Sequence, residues 1–173
     1  MTIRDRMSPN QGPRPAGARP DLIIIHGTAG RSDSAYLDWL SRRESQVSYH
    51  YLVGRTGTIY RLVPEDRRAW HAGASIWDGR ANCNDYSIGI GLSNDGREPY
   101  PAAQIDAAGK LVADLCRRYA IPLSRVVGHC HVAPGRKTDP WLHFEWGRLF
   151  AAVCGADPGS ASPSPSSSLW SSA

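Results

Sequence analysis

The sequence predicts an α/β fold: a single domain with a central mixed β-sheet of about five strands flanked by helices. Three observations carry this. The chain has 173 residues, within the ~100–200 typical of one domain. Its hydrophobic share of 41% supplies a core and excludes a largely disordered chain. Strand-like and helix-like segments also alternate along its length. No apolar run approaches the ~18–20 residues of a membrane span, so no membrane insertion is expected. Scattered Gly and Pro without a heptad exclude collagen-like and coiled-coil chains.

The elements follow in order. Residues 1–20 are rich in Pro, Gly and Arg and read as an irregular basic arm. Asp21–His26 is a β-branched apolar run, a buried strand. Asp33–Glu44 reads as a helix with Asp33 or Ser34 as cap and Tyr36, Leu37 and Leu40 on one face. Ser48–Gly54 and Thr58–Val63 flank the short turn Arg55-Thr56-Gly57, a hairpin. A loop rich in Trp, Gly and Asn runs to about residue 86, and Tyr86–Ser93 is a further strand. Pro101 opens a long helix in which Ile105, Ala108, Val112, Leu115 and Tyr119 recur at spacings of three and four. Gly109 inside it costs roughly 1 kcal/mol against Ala. Arg125–His129 is a last strand, and Phe144–Val153 a last helix. Residues 156–173 are Ser/Pro-rich and read as a flexible tail.

Charge narrows the function. The net charge is +4, from 20 basic and 16 acidic residues. Arg4, Arg6, Arg14 and Arg19 against Asp5 place +3 of it in the arm, leaving +1 for the rest. No basic stripe with interleaved aromatics remains, so a nucleic-acid partner is not expected. Cys83, Cys116, Cys130 and Cys154 are far apart and form no CxxC pair, which points to free thiols. The first 20 residues hold no apolar h-region, so no secretory signal is read there. A cytoplasmic protein is expected, or one released by another route. Nothing in the sequence marks an oligomer interface.

Histidine positions carry the chemistry. His26 ends the first buried strand, before Gly27-Thr28-Ala29-Gly30, and His129 ends the last strand. Both stand at a sheet rim, where sites are commonly built. Asp139 follows ten residues after His129. Two histidines and one carboxylate suit zinc at that rim, with the fourth position left for water. The same spacing also suits two histidines bonded to backbone. His131 is a rival ligand, since strand alternation would put it on the face of His129.

Four motifs, in order, make the chain resemble the type-2 N-acetylmuramoyl-L-alanine amidases, the family of AmpD-like enzymes, phage lysozyme-amidases and peptidoglycan recognition proteins. They are Ile23-Ile24-Ile25-His26-Gly27-Thr28-Ala29-Gly30; Arg67-Arg68-Ala69-Trp70-His71-Ala72-Gly73; Asn84-Asp85-Tyr86-Ser87-Ile88-Gly89-Ile90; and Gly128-His129 with Ala133-Pro134-Gly135-Arg136-Lys137-Thr138-Asp139-Pro140. The resemblance covers about residues 20–153, and it makes 21–155 an amidase catalytic domain. It implies Zn2+ on His26, His129 and Asp139, and it demotes His131. It implies hydrolysis of the amide between N-acetylmuramic acid and L-alanine, in peptidoglycan or an anhydro-muropeptide. It assigns Lys137 to the negative charge of the tetrahedral intermediate. A tyrosine matching Tyr49 contacts the nucleophilic water in the phage enzymes. Trp70, His71 and Asn84 fall where the family builds its substrate groove, with Trp77 nearby. Arg68 and Arg80 are candidates to pair with stem-peptide carboxylates. The family's setting is either cytoplasmic muropeptide recycling or cell wall degradation by a phage endolysin.

One position departs from the pattern. AmpD-like enzymes carry Glu, a general base, where this chain has Gly91. Either Tyr49 suffices without it, or the chain is an impaired variant, or it binds peptidoglycan without cleaving it. If the base is simply missing, Gly91→Glu is expected to raise hydrolysis.

Overall fold

Leu22–Ile25 are fully buried because the strand that carries them has helices and loops on both faces. In the computed structural model, which describes residues 3–30 and 32–155, that strand is β3 (Leu22–Gly27). It lies between β9 (Ser87–Leu92) and β10 (Val126–Gly128), parallel to both, with His26 opposite Gly91. β4 (Tyr51–Val53) continues the sheet beside β9 in parallel, and β5 (Ile59–Arg61) pairs with β4 antiparallel. β1 (Ile3–Asp5) completes the edge, parallel to β5. The mixed sheet therefore has six strands, in the order β1-β5-β4-β9-β3-β10.

The sixth strand comes from the segment expected to be an irregular arm. It is ordered twice, since β2 (Gln11–Pro13) also pairs antiparallel with β6 (Arg67–Ala69). Its polar side chains carry the reason. Arg14 donates to the carbonyls of Glu65, Asn84, Asp85 and Ser87, at 2.9–3.2 Å. Asn10 donates to the Arg42 carbonyl, and Ser8 to that of Leu40. Pro and Gly make this stretch look like coil, but its bonds lie far along the chain. The Ser/Pro-rich segment 156–173 lies outside the described residues.

Alternation along the strands sorts the two faces. Ile23, Ile25, Ile88, Ile90, Tyr51 and Val53 share a core with α2 (Ala102–Tyr119) and α4 (Trp146–Val153). A Cβ at Gly109 would lie 2.5 Å from Ala152 Cβ, so the glycine's helix penalty is offset by close approach of these two helices. On the opposite face Leu52 packs with Leu37 and Leu40 of α1 (Asp33–Leu40), and Ser32 caps α1 through the Ala35 amide. His26 and Gly91 face this second side, away from α2.

Two local readings change. The loop before β9 holds a small hairpin, β7 (Ile76–Trp77) with β8 (Arg80–Ala81). Asp78-Gly79 turns it with φ of 51° and 73°, the left-handed pair that Asp-Gly favours. The last strand also ends at Gly128, and His129 opens the one-turn α3 (His129–Val132). The alternation that put His129 and His131 on one face therefore does not apply.

All four cysteines are free thiols, with Cys83 buried, Cys116 and Cys130 half-buried and Cys154 exposed. No helix among the described residues is long and apolar enough to cross a membrane.

Candidate metal centre

β3 delivers His26 to the sheet rim, α3 delivers His129, and the loop after α3 returns Asp139 between them. All three are buried, and their ligand atoms lie within 4.8 Å of one another. Asp139 is 3.4 Å from His26 Nδ1 and 3.2 Å from His129 Nδ1. Bonds of ~2.1 Å to a tetrahedral zinc would separate two ligand atoms by ~3.4 Å, so both Asp139 distances fit that ion.

Hydrogen bonds behind the histidines decide which ring nitrogens face the centre. Ser87 donates its hydroxyl proton to the Cys83 carbonyl at 2.5 Å. Its oxygen then accepts from His71 Nε2, at 3.2 Å. His71 Nδ1 is left bare and accepts from His26 Nε2, at 3.0 Å. His26 thus carries its proton on Nε2 and turns an unprotonated Nδ1 toward Asp139. On the other side, His129 Nε2 donates to the Ala72 carbonyl at 3.1 Å, which frees its Nδ1 in the same way. Orienting partners of this kind fix tautomer and ring angle for a metal.

Charge states agree. Burial lowers the His26 pKa to about 4, only partly opposed by the nearby Asp139 carboxylate, so the ring is neutral near pH 7. Burial also holds His71 well below the ordinary histidine value, with His26 adding to the effect. Burial pushes Asp139 upward, but the adjacent His129 and His26 rings outweigh it and keep the carboxylate below its usual range.

A cavity of about 470 Å³ opens over this cluster. Tyr49, Trp70, His71, Asn84, His129, Lys137 and Asp139 line it, His26 lies 1% exposed beneath, and Trp77 lies outside it. Lys137 stands exposed on its wall. Trp70 is half-buried there. Asn84 Oδ1 accepts from the His71 and Ala72 amides, at 3.0 and 2.8 Å, and so shapes the loop that carries His71. His131 is turned away, its Nδ1 accepting from the Gly128 amide at 2.9 Å. Arg68 and Arg80, offered as partners for substrate carboxylates, are engaged by Asp85 and Asp21 at 2.5 Å.

Tyr49 is buried with its ring 5.0 Å from that of His26, and burial raises its pKa well above the ordinary value. A Cβ placed on Gly91 would lie 2.8 Å from Tyr49 Cδ2. The space a glutamate would enter from Gly91 therefore holds a tyrosine ring.

Three contributors were missed from sequence. Arg136 donates to the Ala72 and Ala74 carbonyls at 2.5 and 2.7 Å, bracing the acceptor of His129. Tyr36 reaches over from α1 to the Tyr49 hydroxyl, at 3.2 Å. Trp141 adopts a left-handed φ of 65°, strained for a bulky residue, and lays its indole where a Gly27 Cβ would be 2.0 Å away. Arg136 lies in the fourth motif and Tyr36 on the periodic face of the first helix, but neither signal tells what the side chain bonds; Trp141 carries no such signal.

With this geometry in place, comparison with known proteins is decisive. Residues 16–141 match the N-acetylmuramoyl-L-alanine amidase family. The chain belongs to that family. It is 36% identical to the 1,6-anhydro-N-acetylmuramyl-L-alanine amidase AmpD of Citrobacter freundii over 163 residues, covering 84% of this chain and 87% of that one. It is 39% identical to the N-acetylmuramoyl-L-alanine amidase AmiD of Escherichia coli over 156 residues, covering 81% of this chain but 55% of AmiD. A crystal structure of an AmpD derivative superposes with a TM-score of 0.75 at 34% identity, over 87% of this amidase and 94% of that chain. AmiD in complex with anhydro-N-acetylmuramic acid-L-Ala-D-gamma-Glu-L-Lys gives 0.70 at 37% identity, over 83% and 61%.

Proposed function

We propose that this amidase hydrolyses the amide between N-acetylmuramic acid and L-alanine in a small anhydro-muropeptide, using zinc held by His26, His129 and Asp139. The observation that carries the zinc is the fixed pair of tautomers, which turns both Nδ1 atoms toward one buried carboxylate. The substrate is supported by the name of the AmpD relative and by the AmiD structure, which holds anhydro-N-acetylmuramic acid-L-Ala-D-gamma-Glu-L-Lys.

Zinc, when bound, supplies Lewis acidity, acidifying water to a pKa of about 7 and polarising a carbonyl. The chain's own residues do the rest. Lys137 places an ammonium on the cavity wall, where charge develops on the carbonyl oxygen; such a donor is typically worth ~2.7–4 kcal/mol. The Tyr49 hydroxyl orients the attacking water. The Trp70 face receives a sugar ring. His71 and Asn84 line the cavity and also support it: His71 through His26, and Asn84 through the loop amides.

Incubation with an anhydro-muropeptide, with and without chelator, tests the reading. Free stem peptide is expected only while metal is present. Release from intact cell wall but not from the small substrate would point to an endolysin role instead. A second reading, binding without cleavage, draws on Gly91; retention of muropeptide with no released peptide would establish it.

A further inference from the structure

The search for a second site finds buried groups committed to structure. Glu65 is enclosed by Tyr51, Tyr119 and Arg118, and His50 by the Gly89 amide and the Arg67 carbonyl. Tyr36 is different. It sits on α1, lines the cavity, and meets Tyr49 hydroxyl to hydroxyl at 3.2 Å. The rings are nearly parallel, 26° apart with centroids at 6.4 Å. Tyr49 in turn rests on His26 at 5.0 Å.

We propose that Tyr36 is a positioning residue, which fixes the Tyr49 hydroxyl over the metal cavity. The inference rests on the amidase reading and adds a residue to it. The physical need is plain. Tyr49 is held on the sheet side by the bare backbone of Gly91 and by the His26 ring, contacts that fix the ring plane and leave the hydroxyl hydrogen free to rotate. A hydroxyl that spends its time in several orientations presents a lone pair to water only part of the time. Tyr36 gives that hydroxyl one partner on the α1 side. Donating to Tyr36 leaves the Tyr49 lone pairs for the cavity; accepting from it leaves the proton for the cavity. Either way the second valence of the oxygen is aimed. No other side chain among the described residues is recorded in a hydrogen bond with Tyr49.

A double-mutant cycle of Tyr36→Phe and Tyr49→Phe tests this. Zinc content is measured first and is expected to be full in all variants. Tyr36→Phe is expected to lower kcat about 3- to 10-fold, the loss of one ~1 kcal/mol hydrogen bond, with KM within about twofold. In the Tyr49→Phe background the same change is expected to have no effect on kcat. Thermal unfolding of the metal-free proteins supplies a readout that needs no activity: the double variant should melt no lower than the poorer single variant. Equal kcat in wild type and Tyr36→Phe, or factors that multiply in the double variant, would overturn the proposal. A Tyr49→Phe variant with unchanged kcat would instead sink the role of Tyr49, and Tyr36 with it. A purified protein that holds zinc yet releases no stem peptide would remove the amidase reading on which both depend.

Discussion

The ring of Tyr49 and the backbone of Gly91 occupy one space between them: a Cβ at position 91 would stand 2.8 and 2.9 Å from Tyr49 Cδ2 and Cε2. A side chain at 91 and the present Tyr49 rotamer therefore exclude each other. This reverses the outcome expected from sequence for Gly91→Glu. The variant is now expected to lose activity by at least about tenfold, because the carboxylate enters only by expelling the ring. Gly91→Ala is the cleaner probe. It should reduce kcat in the wild type but be near neutral in a Tyr49→Ala background. Steady-state kinetics on the four proteins checks this; a Gly91→Glu enzyme faster than wild type would restore the missing-base account.

Ser87 touches neither cavity nor ligand, yet it terminates the chain of bonds that sets the His26 tautomer. Ser87→Ala is expected to weaken zinc binding about 10- to 100-fold, the usual effect of losing an orienting partner. His71→Phe should do at least as much. Competition with a chromogenic chelator measures both. Unchanged affinity would show that His26 is oriented by packing alone.

Lys137→Met should leave zinc affinity and fold intact and cut kcat by about 10²–10³, the magnitude of a lost transition-state donor. The expected signature is a fall in kcat with KM nearly constant. An effect confined to KM would place Lys137 in substrate binding.

Acid should destabilise the protein through His50. Burial, then the nearby Arg14 charge, lowers its pKa to about 3. The unfolded chain takes a proton at about 6.5 and the folded one does not until about 3. Stability is therefore complete above about pH 6.5 and falls by at most about 1.4 kcal/mol per pH unit as pH drops through that window. His50→Gln can keep the bonds to Gly89 and Arg67 without titrating, and its denaturation midpoints should fall less steeply from pH 6.5 to 4. Identical slopes would exclude His50 as the source.

Trp141→Gly should relieve the left-handed backbone and open the cavity wall. KM is expected to rise about 2- to 10-fold, within the range of a lost aromatic contact, while the melting temperature changes little. A lower KM would mean that the indole obstructs substrate.

Much of this site was legible because its parts are written locally. His26 ends a β-branched run, and Lys137 and Asp139 are two residues apart, so strand periodicity and a short motif reach them. The elements that failed depend on distance. Asn10 and Arg14 look like coil because their partners are 32 to 73 residues away. His129 was placed on a strand because a one-turn helix leaves no periodicity. Position alone places His71 and Asn84 at the cavity, but not their bonds to His26 and to the loop amides, since a side chain's hydrogen-bond direction is not encoded in spacing.

Arg14 has a consequence for where this protein begins as a folding unit. The family match starts at residue 16, two residues past it. A fragment trimmed to that limit would strip a shared donor from the carbonyls of Glu65, Asn84, Asp85 and Ser87. The segment is made before residues 65–87, so its guanidinium has nothing to hold until they have emerged and turned. Arg14 is a latch on that later stretch, and the bounds of the family match alone would cut it away.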